Sequence, residues 1–213
     1  MKETTHRLIE TFFKEHPEMS YLFDRACLAV EKMAGVYLPN KIMTCGNGGS
    51  FSDSGHIVGE LMKSFLKKRP VALSDGDETV YGKLEGAVPA LCLGESSPLA
   101  TAVLNDIGGE WIFAQQVYGL GCAGDVLIGL STSGNSAGVL RAVRVAKRKG
   151  VFTVAMTGQR MRPAFKRARC GNLPRAGTAS ASVSSALRRR GIGALGLNKL
   201  HHKRFVFAER FFL

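Results

Sequence analysis

The chain has 213 residues, 45 % of them hydrophobic and 22 % charged, which suits one globular domain with a sizeable core. No run approaches the roughly 18 apolar residues of a membrane-spanning helix, so none is expected. The net charge of +12 is uneven: residues 1–159 hold 16 Lys+Arg against 16 Asp+Glu, whereas residues 160–213 hold 13 Lys+Arg against the single acid Glu209. The body is neutral and the tail is a different kind of sequence.

The opening MKETTHRLIETFFKEH is amphipathic and mixed in charge. It lacks the apolar core and small-residue cleavage site of a secretory signal. Residues 5–35 are expected to be helical: Leu8, Ile9, Phe12 and Phe13 recur at helical spacing, Pro17 interrupts, and Leu22, Ala26, Val30 and Met33 continue the stripe. KIMTC at 41–45 predicts a strand ending abruptly in GNGGS, with a helix from about Ser50 to Lys67. VPALCLG at 88–94 predicts a second strand, followed by helical composition over 98–120 broken at Gly108-Gly109. DVLIGL at 125–130 predicts a third, ending in STSGNS; a helix over 136–150 and a fourth strand at 151–158 follow. Strands that are nearly continuous apolar runs, alternating with helices, predict an α/β fold with a doubly wound parallel sheet flanked by helices and preceded by an N-terminal helical region. Ligands of such sheets bind beyond the carboxyl ends of the strands. After Gln159 no period of two or 3.6 is sustained, and Arg outnumbers Lys ten to three. Two readings account for the break: a solvated basic arm for an acidic partner, or a shift of coding frame. The tail contains Phe165, Phe205, Phe207, Phe211 and Phe212 but no nucleic-acid-binding motif, so nucleic acid is not the expected partner. Five scattered cysteines (Cys27, Cys45, Cys92, Cys122, Cys170), never spaced CxxC, argue against a disulfide scaffold or zinc finger and suit a reducing cytoplasm.

Three constellations have chemical potential. Cys45-Gly46-Asn47-Gly48-Gly49-Ser50 joins a strand to a helix. Its glycines allow a tight turn and close approach to a ligand, Ser50 can cap the helix, and the exposed N–H groups at a helix start suit a phosphate. It lacks the Gly-Lys-Ser/Thr of a Walker loop and is not GxGxxG; by itself a glycine-rich turn explains it equally well. Ser131-Thr132-Ser133-Gly134-Asn135-Ser136 sits at the same kind of junction. Two such loops on parallel strands suggest a phosphate held by neutral donors and helix dipoles, which a body without excess charge fits. His56 and Glu60 are spaced i, i+4 on the first of these helices, one face of which can present an imidazole and a carboxylate to the same ligand. The pair could be half of a zinc site, or Glu60 a general base; the same spacing also describes a plain surface pair.

Together, CGNGGSFSDSGHIVGEL, LND and GDVLIGLSTSGNSAGVLRA resemble the sugar isomerase (SIS) domain, and within it the phosphoheptose isomerase family, over roughly residues 1–159. The resemblance implies an aldose–ketose isomerisation of sedoheptulose 7-phosphate to D-glycero-D-manno-heptose 7-phosphate. It places Asn47, Gly48, Gly49 and Ser50 at the sugar phosphate, Ser131, Thr132, Ser133 and Ser136 around the phosphate, and Asn105-Asp106 on the sugar. It makes His56 and Glu60 zinc ligands, with Glu60 also the proton-shuttling base and a substrate contact. It further implies a homotetramer. The family's closing helix, with a Gln in an RIQExH-like pattern and a later His, has no match after Gln159, and the flanks of His201-His202 do not fit. The resemblance therefore divides the chain into an SIS domain, 1–159, and a basic segment, 160–213, that departs from the family, out of frame or disordered, and it implies an impaired isomerase. The alternative is a non-catalytic SIS protein that binds sugar phosphates or assists replication initiation.

Overall fold

The structure is a computed structural model and describes residues 3–64, 68–69, 71, 81–157 and 178–182. Helix α1 (Glu3–Glu15) leads through a 3-10 turn at Pro17–Leu22 into α2 (Phe23–Ala34). Then come β1 (Ile42–Cys45), α3 (Gly49–Met62), β2 (Ala90–Cys92) and α4 (Ser97–Asp106). A 3-10 turn at Gly109–Trp111 enters α5 (Ile112–Leu120), followed by β3 (Val126–Ser131), α6 (Ala137–Arg148), β4 (Phe152–Thr157) and β5 (Thr178–Ser182). The sheet order is β2-β1-β3-β4-β5, with every pair parallel.

The period of two in the strands sorts their side chains onto two cores. Ile42, Val126, Ile128, Leu130, Phe152 and Val154 face Ile9, Phe12, Phe13 and Leu22 from the N-terminal region, Ala29, Val30 and Met33 from α2, and Ile57 and Leu61 from α3. Met43, Cys45, Leu127 and Ala155 face Phe113 and Val117 of α5 and Val139, Ala142, Val143 and Ala146 of α6. Both faces are covered, which is why the strands lack polar alternation. The N-terminal helices complete one of the two cores.

The four expected strands are present, as is the helical break at Gly108, whose φ is +122°. The first long helix ends at Met62, short of the expected Lys67, and residues 65–67 lie outside the described residues. Beyond Gln159, where the sequence sustains no period, the structure adds β5: Thr153–Thr157 of β4 pair in register with Thr178–Ser182. The run TASAS contains no large apolar residue, so a strand held by its main-chain ladder leaves little hydrophobic signal. His201 and His202 lie outside the described residues.

Candidate functional site

From β1 the chain moves to β2 on one side, and from β3 to β4 on the other. The carboxyl ends of β1 and β3 therefore flank the point where the winding reverses, the place where open α/β sheets form a ligand crevice. Both polar loops of the sequence sit there.

The first loop turns sharply because of its glycines. A Cβ at Gly46 would lie 2.5 Å from the Ser50 carbonyl oxygen, and Gly48 adopts φ +55°. Gly48 occupies the cap position of α3. This corrects the expectation that Ser50 caps the helix: Ser50 lies one residue inside it, 9 % exposed, and its carbonyl accepts the Ser54 hydroxyl at 2.8 Å. Asn47, Gly48 and Gly49 are exposed. In the second loop Ser136 is the cap of α6, its Oγ accepting the N–H of Val139 at 3.5 Å. Ser131 is buried, its Oγ accepting the N–H of Ser136 at 3.4 Å, while Ser133 Oγ accepts the N–H of Asn135 at 3.2 Å. Thr132 and Ser133 are exposed.

A side-chain bond crosses the crevice: Asn47 Nδ2 donates to Ser136 Oγ at 2.8 Å. It joins two loops 89 residues apart into one cradle in which helices α3 and α6 both begin, so their positive ends add to the field. Neither loop contains Lys or Arg. Arg141, on α6, is committed elsewhere, over the Trp111 ring at 4.2 Å and 3.2 Å from Glu110. An anion in the crevice is met by neutral donors and helix ends.

On α3, His56 Nε2 and Glu60 Oε1 are 3.1 Å apart; the imidazole side chain is 42 % exposed and the carboxylate 7 %. Asp53, buried and three residues before His56, shares that helical stripe; the i, i+3, i+7 spacing of Asp53, His56 and Glu60 was the signal available for it. Asn105 and Asp106 end α4, are exposed, and bond to each other at 2.8 Å. Among the described residues no hydrogen bond ties them to either loop. The donor set His56 and Glu60 offers zinc one nitrogen and one carboxylate. Among the described residues no group of three or more His, Cys, Asp or Glu could hold a metal, so the residues present fall short of the three or four protein ligands of a zinc site.

Elsewhere on this side of the sheet, Gln116 is buried and fixes the turn after β2, its Oε1 accepting the N–H of Gly94 at 3.1 Å. Nothing in its sequence context, an amphipathic helix, marks it out.

The fold and the crevice define a sugar isomerase domain: the family model described as SIS domain matches residues 82–158. Phosphoheptose isomerases are among the relatives. One from Nitratiruptor sp. is 38 % identical over 151 residues, covering 70 % of this chain and 71 % of that protein. One from Akkermansia muciniphila is 44 % identical over 120 residues, covering 56 % of this chain and 55 % of that one. The solved phosphoheptose isomerase of Neisseria gonorrhoeae superposes with a TM-score of 0.63 at 25 % identity, over 95 % of this chain and 92 % of that one. The chain belongs to the phosphoheptose isomerase family. It spans between 55 % and 63 % of the length of several curated relatives.

Proposed function

We propose that the chain acts as a sugar-phosphate isomerase, interconverting sedoheptulose 7-phosphate and D-glycero-D-manno-heptose 7-phosphate. The observation that carries this reading is the Asn47–Ser136 bond, which makes one phosphate cradle of two loops at the head of the helix bearing Glu60. Ser131, Thr132, Ser133 and Ser136, with Asn47, Gly48, Gly49 and Ser50, hold the sugar phosphate. Glu60 takes the proton from C1 of the ketose and returns it to C2, through an enediol. His56, at 3.1 Å, orients the carboxylate. Zinc would supply charge for the developing enediolate, with His56 and Glu60 as two of its ligands. Because the described residues do not complete that set, no step is routed through it.

Asn105 and Asp106 contact the sugar in this proposal. Exposed Leu104 and Ile107 flank them, and Leu99 is exposed on the same helix, which supports a subunit contact there in a homotetramer. A cytoplasmic location is supported by four cysteines that are free thiols among the described residues. The binding machinery lies within residues 1–159, and residues 160–213 form a basic segment that departs from the family and impairs turnover.

The test compares this chain with a version whose residues 160–213 are replaced by a relative's C-terminus, assaying sedoheptulose 7-phosphate turnover with and without Glu60→Gln. Higher turnover in the replaced version, falling about 10²–10⁴-fold with Glu60→Gln, supports the reading. Turnover indifferent to Glu60→Gln overturns it. Binding of the sugar phosphate without turnover in either version points to a binding protein.

A further inference from the structure

We propose that Arg69 is a positioning residue for Glu60, acting as the cap that holds the last turn of α3. The proposal rests on Glu60 being the base. In a continuing helix the N–H of Ser64 would bond to the carbonyl of Glu60. The helix stops instead at Met62, with Lys63 N–H donating to Gly59 O at 2.9 Å. Ser64 then turns away: its N–H donates to Glu85 Oε2 at 3.0 Å, and its hydroxyl bonds the same oxygen. The carbonyl of Glu60 is taken over by Arg69, whose Nη2 donates to Glu60 O at 3.1 Å and to Leu61 O at 2.9 Å.

The two hydrogens of one guanidinium nitrogen thus bind successive carbonyls at a helix end, where a cation is favoured by the macrodipole. Arg69 is in turn anchored. The N–H of Gly86 donates to its carbonyl at 2.6 Å, and the N–H of Val88 donates to Leu61 O at 2.9 Å. The segment leading into β2 therefore grips the end of α3 through Arg69, Glu85 and Val88. Glu60 stands third from that end, its carboxylate nearly buried beside His56. A turn released at its carbonyls unwinds from the end backward, and Glu60 is among the first residues displaced. A misplacement of about 1 Å in a reacting group can cost on the order of a hundredfold in rate.

The experiment uses the full chain, with Arg69→Met, Arg69→Lys and Arg69→Gln beside Glu60→Gln. Circular dichroism establishes that each is folded. Two readouts follow: kcat and KM for sedoheptulose 7-phosphate, and amide hydrogen exchange along α3. Arg69→Met is expected to lower kcat about 10- to 100-fold with KM within about twofold. Arg69→Lys is expected to recover part of the loss. Exchange is expected to accelerate at least about tenfold over Glu60–Lys63 and to stay unchanged in β3. Wild-type kcat in a folded Arg69→Met, or a loss carried by KM alone, overturns the proposal. Should Arg69→Met not fold, Arg69→Gln, which removes the charge and shortens the side chain while keeping an amide NH2, is judged by the same measurements. If neither this chain nor its version with a relative's C-terminus shows turnover, or Glu60→Gln changes none, the enzymatic reading fails and the positioning role for a base fails with it; acceleration confined to Glu60–Lys63 then establishes the cap alone. If Glu60→Gln abolishes turnover while Arg69→Met leaves kcat and exchange unchanged, only the positioning role fails.

Discussion

Replacing Ser136 by Ala removes two bonds of different kinds, and the geometry sets how much each is worth. The cap bond to Val139 N is long, 3.5 Å, so its loss belongs at the lower end of the cap range, about 0.5–1 kcal/mol. The crossing bond from Asn47 is short, 2.8 Å, but Asn47 is exposed and its amide can turn to water, which limits that term to about 0.5–1 kcal/mol. Folding stability should fall by about 1–2 kcal/mol, a Tm shift of roughly 2–8 °C at this chain length. Binding should suffer more. A hydroxyl donated to a phosphate is worth about 1.5–3 kcal/mol, so affinity for sedoheptulose 7-phosphate should drop about tenfold to a hundredfold. Asn47→Ala loses the crossing bond and leaves the cap. The two substitutions share that bond, so their double mutant should deviate from additivity by about 0.5–1 kcal/mol. Urea denaturation gives the cycle, and calorimetry with the sugar phosphate gives the affinities. Additive stabilities within about 0.3 kcal/mol would show that the loops are not joined. Unchanged affinity in folded Ser136→Ala would place the phosphate elsewhere.

At the opposite end of the sheet Asp125 is fully buried and accepts the ammonium of Lys41 at 2.8 Å, the N–H groups of Lys41 and Cys122 at 2.9 Å each, and Asn40 Nδ2 at 3.2 Å. Burial by itself would raise its carboxyl; the bonds from Lys41, Cys122 and Asn40 outweigh that and hold it below the usual range. A carboxyl whose folded value is depressed stabilises the fold above about pH 4 and loses that contribution as pH falls through the folded value. Asp125→Ala should therefore cost about 3 kcal/mol at pH 7, seen as a Tm lower by roughly 6–12 °C, and the difference from wild type should shrink in strong acid. A difference that is constant between pH 7 and pH 2 would contradict it. The thiols give a third outcome. Burial raises Cys45 far above its ordinary value and pushes Cys92 up to about 11, whereas Cys122 is exposed. At pH 8 a disulfide reagent should modify exposed Cys122 within minutes and buried Cys92 far more slowly, with Cys45 reacting only on unfolding. Mass mapping of the modified sites checks this, and equal rates for the three would refute the packing of β1 and β2.

How much of this was legible beforehand follows from the range of each interaction. The four apolar strands, the helical break at Gly108-Gly109 and both polar loops could be read from the chain, because burial on both faces leaves continuous apolar runs and tight turns leave glycines. The His56–Glu60 pair was legible for the same reason: helical spacing is local. Strand β5 was not, since TASAS pairs through its main chain and has no hydrophobic signature. The cap residue of α3 was assigned to Ser50, the strongest local candidate, whereas the turn needs the positive φ that Gly48 supplies. Residues that act across the fold left no trace in their own surroundings. Asn47 meets Ser136 only because β1 and β3 are neighbours in the sheet. Arg69 bonds the carbonyl of Glu60 at a helix end that Glu85 and Val88, distant in sequence, also hold. Local sequence determined which segments are strands, helices and loops, through short-range sterics and the period of apolar residues. The order of the strands, set by how the two cores close, decided which loops meet and what holds the turn that carries the carboxylate.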